Sequence, residues 1–349
     1  MIRQVVTPAP PEAWSAIVRG DALAMPDHGR DWFTSMAVRG PWRDASRLYR
    51  LHDGGEVLLP LVTRAGPSRA LTVAASPPTG CGFGGLVGDR ARDPEVLDAV
   101  LSDVASQGWL SLRIRPIPET GSTVADASSA SAHVVARRAH LLDLAGDLDE
   151  VFARMRKSTR RTIRRHQDGS RGFVVEEACG DVHLDTYESL RQLSVRRWAE
   201  TSKEPLVLAR WRANRGEPDR VLRDLAGALG DRFRTWVAWA DGKPAAVNIM
   251  ATGSTAHVMR ASMDHELVGS SGLMQYLDWL AVERAHASLS HTINLGESGT
   301  SSSLSSYKES LGAVAHDYTE VRFERIPISS ADAAGRQLVK RMIGFRDPA

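Results

Sequence analysis

The sequence has little of what would quickly assign it to a class. It carries two cysteines, Cys81 and Cys179, in no CxxC pair, which excludes a disulfide framework and any cysteine-based zinc site. Its eleven histidines are scattered without HExxH or other metal-ligand spacing, so no metal is expected. No apolar run approaches the ~18 residues that a membrane helix needs. The opening MIRQVVTPAPPEAW lacks the apolar core of a secretion signal. A cytoplasmic protein with no membrane partner is therefore expected. Neither sign of charge dominates, with 44 Lys+Arg against 42 Asp+Glu, so only the placement of charges can point to a partner. Gly80-Cys81-Gly82-Phe83-Gly84-Gly85 is rich in glycine, but no GK[ST] follows and the next helix begins too late for a dinucleotide fingerprint. That leaves a tight turn.

What is present fits a folded protein of two domains. Hydrophobic residues make up 42% and charged residues 25% of 349 positions, a globular balance in a chain too long for one ordinary domain. Strand-like runs at 46–51 and 56–63 flank the hairpin signal Asp53-Gly54-Gly55. A third run, 71–74, leads into the loop Pro77–Gly88. A helix near 93–106 carries Val96, Leu97, Val100, Leu101 and Val104 on one stripe. Strands at 109–114 and 133–144 bracket a Ser/Ala/Thr/Gly loop at 118–132. The second half repeats this order: helices at 147–168, 183–200 and 218–229, a hairpin across Asp241-Gly242-Lys243, a strand at 255–263 and a loop at 264–272. A helix from Leu273, a strand at 292–295, a helix near 304–311 and a last strand at 315–324 complete it. The order predicts an internal duplication, with an N-terminal domain at 1–145, a C-terminal domain at 146–325 and a tail at 326–349.

The helix at 147–168 has its own chemistry. At about 100° per residue, Lys157, Arg160, Arg161, Arg164 and Arg165 fall within an arc of ~140°, opposite Phe152, Met155 and Ile163. Asp147 and Glu150 suit its N-cap and first turn. Few carboxylates interleave with the five cations. The stripe is either a solvated basic face or a receiver of phosphates, whose binding would depend on salt.

From Met259 to Ala313 the sequence resembles the C-terminal GNAT fold of the Fem-type aminoacyl transferases and their acetyltransferase relatives. The matching features are Ala261-Ser262 at a strand end, the helix Gly272–Ala285, Asn294-Leu295-Gly296, the aromatic-lysine pair Tyr307-Lys308 and Gly312. Met155–Arg165 resembles the basic helix opening the second half of such proteins, and Phe83-Gly84-Gly85-Leu86 an aromatic-Gly-Gly turn of the first. The resemblance covers roughly 40–323. It implies an α/β protein of tandem, duplicated GNAT folds, each a mixed, mostly antiparallel sheet flanked by helices. It also implies amide formation by direct attack of an acceptor amine on an aminoacyl-tRNA or an acyl-CoA. No acyl-enzyme and no resident cofactor are implied. The protein's task is then positioning and stabilisation of the tetrahedral oxyanion.

On this resemblance Lys308 is the leading catalytic candidate, with Tyr307 as its aromatic partner. Without it, Lys308 would be an ordinary surface lysine paired with Glu309 or Glu297. Asp264, directly after a strand that lines the site in GNAT folds, leads as general base, with His265 and Glu297 as alternatives. Arg260 could hold an acceptor carboxylate, or simply face water. Glu297, Ser271 and Gly272 are further substrate-binding candidates. Trp198, after Arg196-Arg197, is a stacking surface or a core residue. The donor turns on Glu266-Leu267-Val268-Gly269-Ser270-Ser271-Gly272. This segment has the glycines of a pyrophosphate loop, but Glu266 stands where CoA-using relatives carry Gln or Arg and would repel pyrophosphate. The preferred reading is an aminoacyl-tRNA-dependent transferase acting on a small amine or peptide, with tRNA received by the basic helix. No long helical-hairpin insertion is evident, which leans it toward specialised-metabolite (antibiotic) biosynthesis over cell-wall peptide extension. The alternatives are an acyl-CoA N-acyltransferase and a non-catalytic RNA-binding module.

Overall fold

The computed structural model describes residues 2–121, 132–216 and 219–327, with Gly335 and Gln337. Most of the loop expected at 118–132 and nearly all of the tail expected at 326–349 lie outside the described residues. The chain forms two compact units. One contains Met1–Ala139 with Ala315–Ile328, and the other contains His140–Val314.

In the first unit, β1 (Ile2–Val6) is followed by α1 (Pro11–Gly20) and the short α2 (Arg30–Trp32). Then come β2 (Trp42–Asp44), β3 (Arg47–Leu51), β4 (Glu56–Leu59), β5 (Val62–Arg64) and β6 (Val73–Ser76). The hairpin at Asp53-Gly54-Gly55 forms between β3 and β4, and β1 joins it in a three-stranded sheet. The single run expected at 56–63 is cut in two. Pro60 cannot donate to a ladder, so the chain leaves this sheet and re-pairs as β5 with β2 and β6. α3 (Pro94–Ser106) starts at Asp93, whose carboxylate accepts from the Glu95 amide at 3.0 Å. Its predicted stripe is fully buried with Leu112 and Ile114 of the parallel strand β7 (Ser111–Ile114). β8 (Ala132–Asp143) follows.

In the second unit, α4 (Leu148–Ala153) opens with a reciprocal cap. The Glu150 amide donates to Asp147 at 2.8 Å, and Glu150 Oε2 accepts from the Asp147 amide at 3.3 Å. The one helix expected over 147–168 is two, because the chain breaks at Arg154–Arg156 before α5 (Lys157–Gln167). There the Arg156 amide donates to Ser310 O at 3.0 Å. The Arg160 guanidinium reaches back to the carbonyls of Ala153 and Met155, satisfying the end of α4. β9 (Phe173–Cys179), α6 (Leu184–Ser202), α7 (Leu206–Gly216) and α8 (Asp219–Leu229) come next. β9 and α7 were not foreseen. Val174 is 64% exposed, so the edge strand β9 has no clear apolar alternation. β10 (Phe233–Ala240), β11 (Lys243–Ala251) and β12 (Thr255–Met263) form an antiparallel meander with β9 at its edge. α9 (His265–Val268) and α10 (Leu273–Ala287) cross over to β13 (Thr292–Glu297), which is parallel to β12. α10 buries Leu273, Leu277, Ala281, Val282 and Ala285 with Trp236, Ala246 and Met250 of the sheet. α11 (Ser302–Ser310) follows.

The last strand, β14 (Val314–Glu324), expected in the C-terminal half, pairs antiparallel with β7 and is counted with the first unit from Ala315 onward. Both units share one device, an antiparallel pair followed by a crossover helix and a parallel strand: β5-β6-α3-β7 and β11-β12-α10-β13. Asp147→Ala removes the cap of α4 and should lower stability by about 1 kcal/mol, measured as a shift in the urea midpoint with the slope unchanged.

Candidate active site

β12 and β13 pair from Thr255↔Thr292 to His257↔Asn294, where their common register ends. The cause is local. Asn294 Oδ1 accepts from the Gly296 amide at 2.7 Å, taking a donor that a continuing ladder would use. Gly296 lies at φ +82°, open to glycine and strained for other residues. At this divergence sits the amine of Lys308, from the last turn of α11. Its Nζ donates to Glu297 O at 2.8 Å and lies 3.5 Å from the position of a Cβ on Gly296.

Lys308 is only 7% exposed. Burial drives its pKa down to about 8, with Asp278 and Glu297 pulling the other way. The carboxylate that most favours the charged amine belongs to a residue not singled out from the sequence. Asp278, buried on α10, accepts from Tyr307 Oη at 2.5 Å and from Asn248 Nδ2 of β11 at 2.8 Å. Burial raises the Asp278 pKa, against the two donors and the Lys308 charge. Burial and the Asp278 charge push the Tyr307 hydroxyl well above its ordinary value, so it stays a neutral donor. Three elements are thereby tied at one point, and Asp278 and Lys308 each favour the other's charged form. The signal was present in sequence. Asp278 shares a helix face with Ala281, Val282 and Ala285 at i+3, i+4 and i+7, and Asn248 interrupts an apolar strand. A carboxylate and an amide at such positions need partners.

Of the other candidates, Glu297 lies at the Lys308 amine, and Asp264, Arg260 and Trp198 have other surroundings. Asp264 Oδ1 accepts from the Glu266 and Leu267 amides at 2.9 and 3.3 Å, so this carboxylate, expected as a general base, caps α9. Arg260 lies opposite Ile249 across the β11–β12 pair. Alternation puts it on the sheet face opposite Asn248, away from Asp278, where its Nη1 donates to Met259 O at 2.7 Å. Glu297 contributes its carbonyl to Lys308. Trp198 is half exposed on α6.

Ser271 and Gly272 belong to a tightly packed helix start. Ser271 Oγ accepts from the Leu273 amide at 3.2 Å, and Ser271 O lies 3.1 Å from His166 Nε2. The His166 ring stacks on Tyr276, with centroids 5.3 Å apart. Gly272, at φ +73°, is pressed against α5, since a Cβ there would stand 2.4 Å from Thr162 Cγ2. The amides of Gly269, Ser271 and Gln275 donate to the carbonyls of His265, Val268 and Gly272. This start of α10 thus spends much of its donor capacity internally.

The basic helix is confirmed as amphipathic, with Thr159, Ile163 and His166 buried. Lys157, Arg161 and Arg164 are exposed, with no carboxylate partner among the described residues, and Arg164 lies over the Phe152 ring at 5.3 Å. Arg165 is half-buried, and Arg160 is committed to the end of α4.

Residues 153–309 match the family model described as acetyltransferase (GNAT) domain. A comparison with curated proteins finds no match. Among solved structures, the crystal structure of FemX is 13% identical, with a TM-score of 0.59 over 92% of this chain and 97% of that one. The C-terminal domain of a putative lysylphosphatidylglycerol synthetase from Agrobacterium fabrum gives 15% identity and a TM-score of 0.48 over 96% of each chain. A tandem GNAT protein from the clavulanic acid biosynthesis pathway gives 13% and 0.42, over 93% of this chain and 99% of that one. The likeness to FemX establishes a shared fold.

Two outcomes test this geometry. Asp278→Ala strands two buried donors, at roughly 1–3 kcal/mol each, and should lower the unfolding free energy accordingly in denaturant titration. Gly272→Ala should destabilise by roughly 1–3 kcal/mol through overpacking alone, and Thr162→Ser should recover part of that loss in the double variant.

Proposed function

We propose that this chain, an acyltransferase by its GNAT domain at 153–309, transfers an aminoacyl group from aminoacyl-tRNA to the amine of a small-molecule or peptide acceptor. One observation carries the proposal: a buried ammonium, Lys308, held at the point where β12 and β13 part. A buried lysine costs desolvation unless it is compensated. Here the compensation, Glu297 O with Asp278 and Tyr307 behind, fixes the amine at the strand divergence.

In this mechanism the neutral acceptor amine attacks the ester carbonyl, forming a C–N bond and a tetrahedral oxyanion. Lys308 donates a hydrogen bond to that oxyanion. Collapse breaks the C–O bond, and the ribose hydroxyl of the tRNA leaves with a proton as the new amide nitrogen gives one up to solvent. The protonated lysine is the working form, so Lys308 is a donor and not the base. Asp278 is a positioning residue, holding Tyr307 and favouring the charged amine.

The choice of donor is supported by two further features. The start of α10, where a CoA pyrophosphate would be cradled, carries Glu266, spends amides internally and packs against Thr162. The outer face of α5 offers Lys157, Arg161 and Arg164 to phosphates. The buried site also favours an enzyme over a non-catalytic RNA-binding module, which would have no use for a desolvated amine.

Activity with purified charged tRNA should disappear after RNase treatment. Turnover of acetyl-CoA that is indifferent to RNase would instead establish the CoA-dependent alternative. Lys308→Ala should reduce kcat about 10²–10³-fold, with tRNA binding retained. In the wild type, kcat should fall as pH rises through about 8, as Lys308 loses its proton. A profile still rising well above that point would remove Lys308 from the mechanism. Arg161→Gln/Arg164→Gln should raise KM for aminoacyl-tRNA and flatten the log–log salt dependence by about two units of slope.

A further inference from the structure

The first unit carries a charge arrangement that the transfer chemistry does not use. In the β7–β14 pair, Arg322 stands directly opposite Arg113. Alternation sends Leu112, Ile114, Val321 and Phe323 to the face that buries α3. The other face carries Arg113, Arg115, Glu320, Arg322 and Glu324. Arg137 of β8 joins them, with its Nη2 2.8 Å from Glu320. Glu320 is 0% exposed and also accepts from Arg322 at 2.7 Å. Among the described residues, four guanidiniums thus share a sheet face with two carboxylates.

Arg113 is the centre of the imbalance. Its guanidinium donates to Thr79 Oγ1 at 2.7 Å and to Pro77 O at 2.5 Å. Both acceptors are neutral, and Arg113 has no carboxylate partner among the described residues. Burial lowers its pKa to about 10; Glu320 opposes the shift, and the repulsion of Arg115, Arg322 and Arg137 adds to it. Like charges directly opposed on antiparallel strands destabilise a sheet, and buried charges are ordinarily paired. The Arg113 charge helps to hold the buried Glu320 ionised, but Arg137 and Arg322 already donate to that carboxylate, which leaves the Arg113 fork to neutral oxygens. Two of its five N–H donors are used. Arg115 stands two residues along the same face, its Cζ 4.7 Å from the Phe83 ring centroid and its Nε donating to Tyr318 Oη at 3.2 Å.

We propose that this face of the first unit is a binding site for a multiply charged oxyanion, a phosphate or carboxylate group of a small ligand, centred on Arg113 with Arg115 and Arg322 flanking it. Guanidinium forks match the planar, bidentate geometry of such groups. The proposal is independent of the acyl donor and of Lys308.

The test uses the full chain with inorganic pyrophosphate and, separately, citrate, read by thermal shift and isothermal titration calorimetry. At least one probe should bind with Kd below about 1 mM and raise the melting temperature, and which of them does so separates phosphate from carboxylate. Arg113→Gln should weaken that binding at least about tenfold, with a modest fall in its own melting temperature without ligand, because Arg113 also offsets the buried Glu320 charge. Arg113→Lys, which keeps the charge and loses the fork, should bind between the two and serves if Arg113→Gln fails to fold. Arg161→Gln/Arg164→Gln should bind as the wild type does. Two results overturn the site: neither probe binding in the millimolar range, or binding lost in the Arg161/Arg164 variant and kept without Arg113.

Discussion

The second unit is organised around the contact between the Lys308 amine and the Glu297 carbonyl. A charged amine at that depth is unfavourable alone, and so is the Asp278 carboxylate behind it. Together, with Tyr307 and Asn248 supplying neutral donors, each offsets the other's desolvation. This constraint reaches outward into the fold. It requires α10 to turn Asp278 toward β11 and α11 to end beside Gly296. The strands part through the local Asn294–Gly296 contact, and the polar network then holds the amine at that point.

Polar groups inside the sheet layers work differently in the two units. In the second, a carboxylate held by two neutral donors and an ammonium held by a carbonyl favour one another's charged forms. In the first, guanidiniums outnumber carboxylates on the β7–β14 face among the described residues, and Arg113 hydrogen-bonds to neutral oxygens. The shared crossover device shows that the same supersecondary frame can carry a balanced or an unbalanced polar face. Fold alone therefore assigns neither unit its chemistry.

Much of this architecture was legible because the apolar period is strong where packing is dense. The stripes of α3 and α10 and the meander β10–β12 bury one face each, and their residues announce it. The basic arc of α5 was readable for the same reason, since Thr159, Ile163 and His166 anchor its inner face. What escaped notice depended on contacts distant in sequence. The break between α4 and α5 is set by Ser310, some 150 positions away, and by Arg160 folding back, so local periodicity runs through it. Pro60 gave a local warning that the run at 56–63 would divide. The Asp278–Asn248 contact spans a helix and a strand, and neither residue alone distinguishes a site from a tolerated polar group. Asp264 had a clear local signal, two residues before an amide it caps, and its nearness to a site strand outweighed that signal.

The double anchorage of α5 has a mechanical consequence. Its first turn is tied through Arg156 to Ser310, two residues beyond Lys308, while its middle is wedged at Thr162 against Gly272. A helix braced at both points behaves as a strut. The outer basic face of the helix and the Lys308 amine are thereby held in one fixed relation, through Ser310 on one side and the start of α10 on the other.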